Sequence, residues 1–174
     1  SLWSDGDDFP DSIVSRYKRM GYHFLALTDH NILSEKQRYI ATHTLAPGAL
    51  AKYKTTFGSS WVETRTIKGE QQVRLKPLRE LRSLFDEPDR FLLIQGEEIT
   101  DSFLDTNGTS YPVHLNATNL RDLILPQGGN SVSQTIQNNV QAVEEQRAAT
   151  ERPMIVHLNH PNFGWGVTAE DLLP

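Results

Sequence analysis

Three apolar runs in this sequence stop at side chains that bind metals. His23 to Thr28 leads into Asp29-His30-Asn31, Phe91 to Ile94 leads into Gly96-Glu97-Glu98, and Met154 to Leu158 leads into His160-Pro161. Imidazole and carboxylate are donors for hard and borderline divalent cations. The chain has no cysteine, so any metal must be held by these groups. In parallel α/β folds the C-terminal strand ends form one floor, where residues distant in sequence converge. Taken singly, a histidine after a strand is more often a loop residue and paired glutamates are usually solvated. Their joint occurrence at three strand ends carries the weight.

Side-chain alternation narrows the choice between neighbours. Period two puts Leu92, Ile94, Gly96 and Glu98 on one strand face and Glu97 on the other, so only one of the two glutamates should be a ligand. His114 shares a face with Pro112 and Asn116, and His157 lies opposite His160 unless the chain turns at Asn159. Phe163 and Trp165 follow the last histidine, where aromatics line a pocket or pack on the next helix equally well.

The elements that must position these residues can be read along the chain. Ile13, Val14, Tyr17 and Met20 have helical spacing between Pro10 and Gly21, a start and stop for a short amphipathic helix. The run His23 to Thr28 is a strand covered on both faces. Residues 33–76 show weak periodicity and read as a helix followed by an irregular or partly hairpin insertion at about 38–76. Pro77 opens a helix carrying Leu78, Leu81, Leu84 and Phe85 on one stripe, and a buried strand at 91–94 follows. Asp105-Thr106-Asn107-Gly108 has turn chemistry, and Tyr111 to Asn116 is a strand whose Pro112 restricts it to an edge or a strand start. Ser131 and Gln134 have capping-box spacing at the head of a helix reaching Thr150. Met154 to Leu158 is the last strand, and Thr168 to Leu173 begins another helix. Strands alternating with helices predict an α/β fold with a largely parallel sheet in a single domain over 1–174.

The composition removes several classes. A net charge of −5 argues against a polyanion-binding groove. No apolar run approaches the roughly 18 residues of a membrane span. The partner expected is a small-molecule substrate, with neither nucleic acid nor membrane.

Ser4-Asp5-Gly6 before the first helix, Leu27-Thr28-Asp29-His30-Asn31, Gly96-Glu97-Glu98-Ile99-Thr100 and His160-Pro161, in this order and spacing, resemble the polymerase and histidinol phosphatase (PHP) superfamily of metal-dependent phosphoesterases. Val113-His114-Leu115-Asn116 and the stretch from His157 to Trp165 look like its branch that includes carbaryl-hydrolase-type metallohydrolases. The resemblance implies a distorted (β/α)7 barrel, here an incomplete portion, with two or three divalent ions (Zn, Mn or Fe) at the strand ends. It places Asp5, His30, Glu98, His114 and His160 on metal-ligand positions. Glu98 would bridge two ions and, with His160, carry the chemistry, while Asp29 would orient an imidazole. His157 has no secure counterpart and reads as a supporting, substrate-facing or structural residue. The family's His-x-His ahead of Ser1 and Asp-x-His beyond Pro174 are missing, so the chain reads as a domain interior truncated at both ends. Secretion is left open.

The activity implied is hydrolysis by a metal-bridging hydroxide, on a phosphoester first and on a carboxyl ester or carbamate as the alternative. No Gly-x-Ser-x-Gly elbow is present. The rival from another class is a non-catalytic PHP-like binding module. A DNA-polymerase proofreading role fits poorly with the acidic balance.

Overall fold

A computed structural model describes residues 1–173. In chain order the elements are α1 (Pro10–Arg19), β1 (Phe24–His30), β2 (Arg38–Ala41), α2 (Ala49–Phe57), β3 (Thr64–Ile67) and β4 (Glu70–Leu75). They continue with α3 (Leu78–Phe85), β5 (Leu92–Leu104), β6 (Ser110–Thr118), α4 (Val132–Thr150) and β7 (Ile155–Leu158). Packing divides the chain into two compact units, one of residues 1–25 and 34–93, the other of residues 26–33 and 94–174. Among the described residues no helix is long and apolar enough to cross a membrane.

The first unit holds the antiparallel sheet β2-β4-β3 and helices α1, α2 and α3. Pro10 and Pro77 stand at or just before the first helical residue, where a missing N–H costs nothing. The weakly patterned stretch proves to be a strand, a helix and a hairpin in that order. Lys68 and Gly69, both at positive φ, form the two-residue turn of the β3–β4 hairpin. The expected helix after Leu33 is absent because Arg38 to Ala41 pairs instead with Gln72 to Leu75, a nonlocal contact that local periodicity does not report. Asp11 is fully buried and accepts hydrogen bonds from Tyr53 and from Trp61 Nε1, which ties α1 to α2 and the turn beyond it.

The second unit is built on the sheet β1-β5-β6-β7. The expected (β/α)7 barrel is not found: there is no closed barrel among the described residues, and only four α-helices accompany the strands. β5 runs on through Gly96 and Glu98 to Leu104, turns at Asp105–Gly108 and returns as β6, and so short a connection can join only antiparallel strands. β7 is antiparallel to β6 as well. Only β1 and β5 run the same way, since hydrogen bonds join Leu92 N to His23 O at their starts and Asn31 N to Glu98 O at their ends. The predicted largely parallel sheet therefore reduces to one parallel pair. Pro112 sits near the start of β6, beyond the residues that pair with β7, so its missing N–H breaks no bond on that side.

Period two divides this sheet sharply. Ile99, Val113, Leu115 and Ala117 are buried on the face that packs with Val132 and Val143 of α4. Ser131 caps that helix, its Oγ accepting from Gln134 N, while the Gln134 side chain accepts from Asn130 N. Glu98, Thr100, His114 and Asn116 stand on the opposite face, with Glu98 paired to Asn116 and Thr100 to His114 across the strands.

Candidate metal centre

The two adjacent glutamates separate as alternation requires. Glu97 points to the helix-covered face, where it is completely buried and its Oε1 accepts from Ile124 N at 2.7 Å. Burial pushes its carboxyl up to about 7, against the pull of that N–H. It pins the segment before α4 and faces the apolar core. Glu98 points the other way, into a group of imidazoles.

Four side chains converge there. Glu98 Oε1 lies 3.0 Å from His114 Nδ1 and 3.3 Å from His160 Nε2, and those two nitrogens are 2.9 Å apart. Glu98 Oε2 lies 3.8 Å from His30 Nδ1. Donor atoms of His30, Glu98 and His114 all fall within 4.8 Å of one another. β1 brings His30 as its last residue, β5 brings Glu98, β6 brings His114, and the loop after β7 brings His160. The turn at Asn159 that would reorient His160 is present: Asn159 N donates to His114 O, and His160 has φ 25. A histidine held in that left-handed conformation costs on the order of 1 kcal/mol, and here it directs the ring at Glu98.

These residues fit a divalent cation. Glu98 Oε1 is buried and accepts no hydrogen bond, although two imidazole nitrogens stand beside it. A tetrahedral ion with bonds of about 2.0–2.1 Å has ligand-to-ligand edges of about 3.3 Å. The triangle of Oε1, Nδ1 and Nε2 has sides of 3.0, 3.3 and 2.9 Å, close to one face of such a polyhedron. His114 is pulled below the usual imidazole range, first by burial and then by neighbouring His160 and His30, against the opposing pull of Glu98. It therefore keeps a lone pair for a metal at neutral pH. Three nitrogens and one carboxylate suit a borderline cation of the Zn, Fe or Mn type.

The chain matches no protein-family model, no curated protein and no solved structure.

Asp5 belongs to the first unit, exposed in the opening turn, where Ser4 Oγ donates to its Oδ1 at 3.3 Å. Asp29 is buried at 2% exposure and bridges to Ile32. His157 is exposed on β7 opposite Asn116, its Nε2 3.5 Å from the Asn116 amide nitrogen, on the same sheet face as Glu98. Phe163 sets its ring 5.5 Å from that of His114 and 5.4 Å from that of His160, so it covers the imidazoles, while Trp165 is 80% exposed.

The loop carrying His160 is seated by a close approach at Gly166. A Cβ built there would meet Pro112 O at 2.1 Å. Gly166→Ala should push the loop off β6 and detach His160 from His114, with α4 and the sheet intact. The ring resonances of His160 and His114 in an NMR spectrum would both shift in this variant; an unchanged pair would refute the seating.

Thr100 and Asn31 also frame the site, and donor chemistry does not single them out because neither side chain is a metal ligand of the imidazole or carboxylate type. The usable signal was an asparagine directly after a strand, since Asn tolerates left-handed backbone and hydrogen-bonds nearby main chain.

Proposed function

We propose that His30, Glu98, His114 and His160 hold at least one divalent transition-metal ion and that the chain serves as a metal-dependent hydrolase acting on a phosphoester. The observation that carries this reading is the buried Glu98 Oε1, without a hydrogen bond and within 3.3 Å of two imidazole nitrogens. Bound there, a cation would supply polarisation of a substrate oxygen and a water acidic enough to react near neutral pH.

The chain's own side chains have distinct parts. Glu98 turns one oxygen toward His114 and His160 and the other toward His30, so its carboxylate would hold a cation from among all three imidazoles. His114 is held neutral by burial. The His160 side chain is 40% exposed, so substrate reaches the site on its side. Asn116 and His157 offer an amide and an imidazole on the same sheet face to orient a polar group. With no cysteine in the chain, no thiolate nucleophile competes with water. The resemblance of the Asp29-His30, Glu97-Glu98 and His160-Pro161 motifs to the PHP superfamily agrees with this chemistry, without its barrel.

The test is hydrolysis of bis(4-nitrophenyl) phosphate beside 4-nitrophenyl acetate by the Zn- or Mn-loaded chain. Metal-dependent turnover of the phosphodiester is expected. Turnover of the ester alone would move the substrate class to carboxyl esters or carbamates. Failure on both with metal bound would leave a binding module and overturn the hydrolase.

A further inference from the structure

We propose that Asn31 and Thr100 are positioning residues that fix the His30 ring for metal, an inference that rests on the metal reading above. β1 is an edge strand and His30 is its last residue, a place where strands fray. One residue later Asn31 has φ 48 and leaves the ladder. Its main-chain N–H still donates to Glu98 O at 2.9 Å. Its carboxamide then does what a further strand residue would do. Oδ1 accepts from Thr100 N at 2.8 Å and Nδ2 donates to Thr100 O at 3.0 Å. That orientation of the amide is forced, because a main-chain N–H only donates and a carbonyl only accepts.

Thr100, held on both main-chain atoms, points its side chain to the face of its cross-strand partner His114. There its hydroxyl is hydrogen-bonded to Nδ1 of His30 and lies 3.3 Å from Glu98 O. The arrangement closes on itself: the residue after the ligand grips β5, and β5 grips the ligand's ring. A metal ligand whose ring is free to swing loses affinity, and removal of a group that orients one costs about 10- to 100-fold.

A simpler role for Asn31 would be to tolerate the left-handed turn. The two roles predict opposite results for Asn31→Gly, since glycine suits that turn better and cannot form the clamp. Co2+ titration of the purified chain, followed by its visible absorption, separates them. Asn31→Gly and Thr100→Val should keep the wild-type circular dichroism, weaken Co2+ binding by about 10- to 100-fold and change the absorption envelope. Thr100→Ser, which keeps the hydroxyl, should restore both. If the glycine variant fails to fold, the Thr100→Val and Thr100→Ser pair still decides. Wild-type affinity and spectrum in Asn31→Gly and Thr100→Val would overturn the clamp and leave the metal site standing. Tighter binding by Thr100→Val would overturn it too, because the hydroxyl would then be competing with the metal for Nδ1. No Co2+ uptake by the wild-type chain would overturn both the clamp and the metal reading.

Discussion

Glu98→Gln should lower the affinity of the chain for Zn2+ by at least about 100-fold, the upper end of what loss of a mere supporting group costs, while leaving the fold intact. Glutamine keeps the shape of the side chain in its buried slot but exchanges one carboxylate oxygen for an N–H2, which donates and cannot ligate. The loss falls on a shared partner: Glu98 faces His114 and His160 through one oxygen and His30 through the other, so whichever oxygen is replaced, one side meets an N–H2 and the negative charge is gone from both. Calorimetric titration of the metal-free protein measures the loss, and thermal unfolding shows that the scaffold is unchanged. Equal Zn2+ affinity in both proteins would remove Glu98 from the site.

The neighbouring residue should behave in a wholly different way. Glu97 carries a carboxyl raised from an ordinary 4.5 to about 7 by burial. Between these values the folded chain keeps the proton and the unfolded chain has lost it. Its contribution to stability is therefore full below pH 4.5 and is lost as pH rises to about 7. At about 1.4 kcal/mol per unit the change is about 3 kcal/mol. Glu97→Gln, neutral at every pH, should abolish this dependence. Urea unfolding of both proteins at pH 4.5 and pH 7.5 gives the difference directly, and other buried acids such as Asp11 cancel because both proteins contain them. Parallel stability curves for the two proteins would show that Glu97 ionises freely in the fold.

These opposite fates of adjacent residues were legible in the sequence, because alternation on a strand already assigned them to opposite faces. Helix starts were legible for a similar reason: Pro10, Pro77 and Ser131 act on the chain within a turn of themselves. Strand direction was not legible in the alternation of short apolar runs with helices, which points to a parallel sheet; the turn residues Asp105 to Gly108 carry the contrary signal, because a connection that short dictates an antiparallel return. The pairing of Arg38–Ala41 with Gln72–Leu75 spans too many residues to leave a local mark. Of the site, His30 and His160 do lie at strand ends, but Glu98 stands midway along β5, where antiparallel pairing with β6 rather than a floor of parallel strand ends brings it beside His114. The part of Asn31 was hidden because it depends on where the Thr100 main chain lies in space.

Crystals of the chain grown with Zn2+ and measured at the zinc absorption edge test whether imidazoles and Glu98 frame one cation position. An anomalous-scattering peak is expected, bonded to Glu98 and to at least two of His30, His114 and His160, at about 2.0–2.2 Å. An ordered Glu98 with no peak beside it, or a peak held only by other residues, would contradict it.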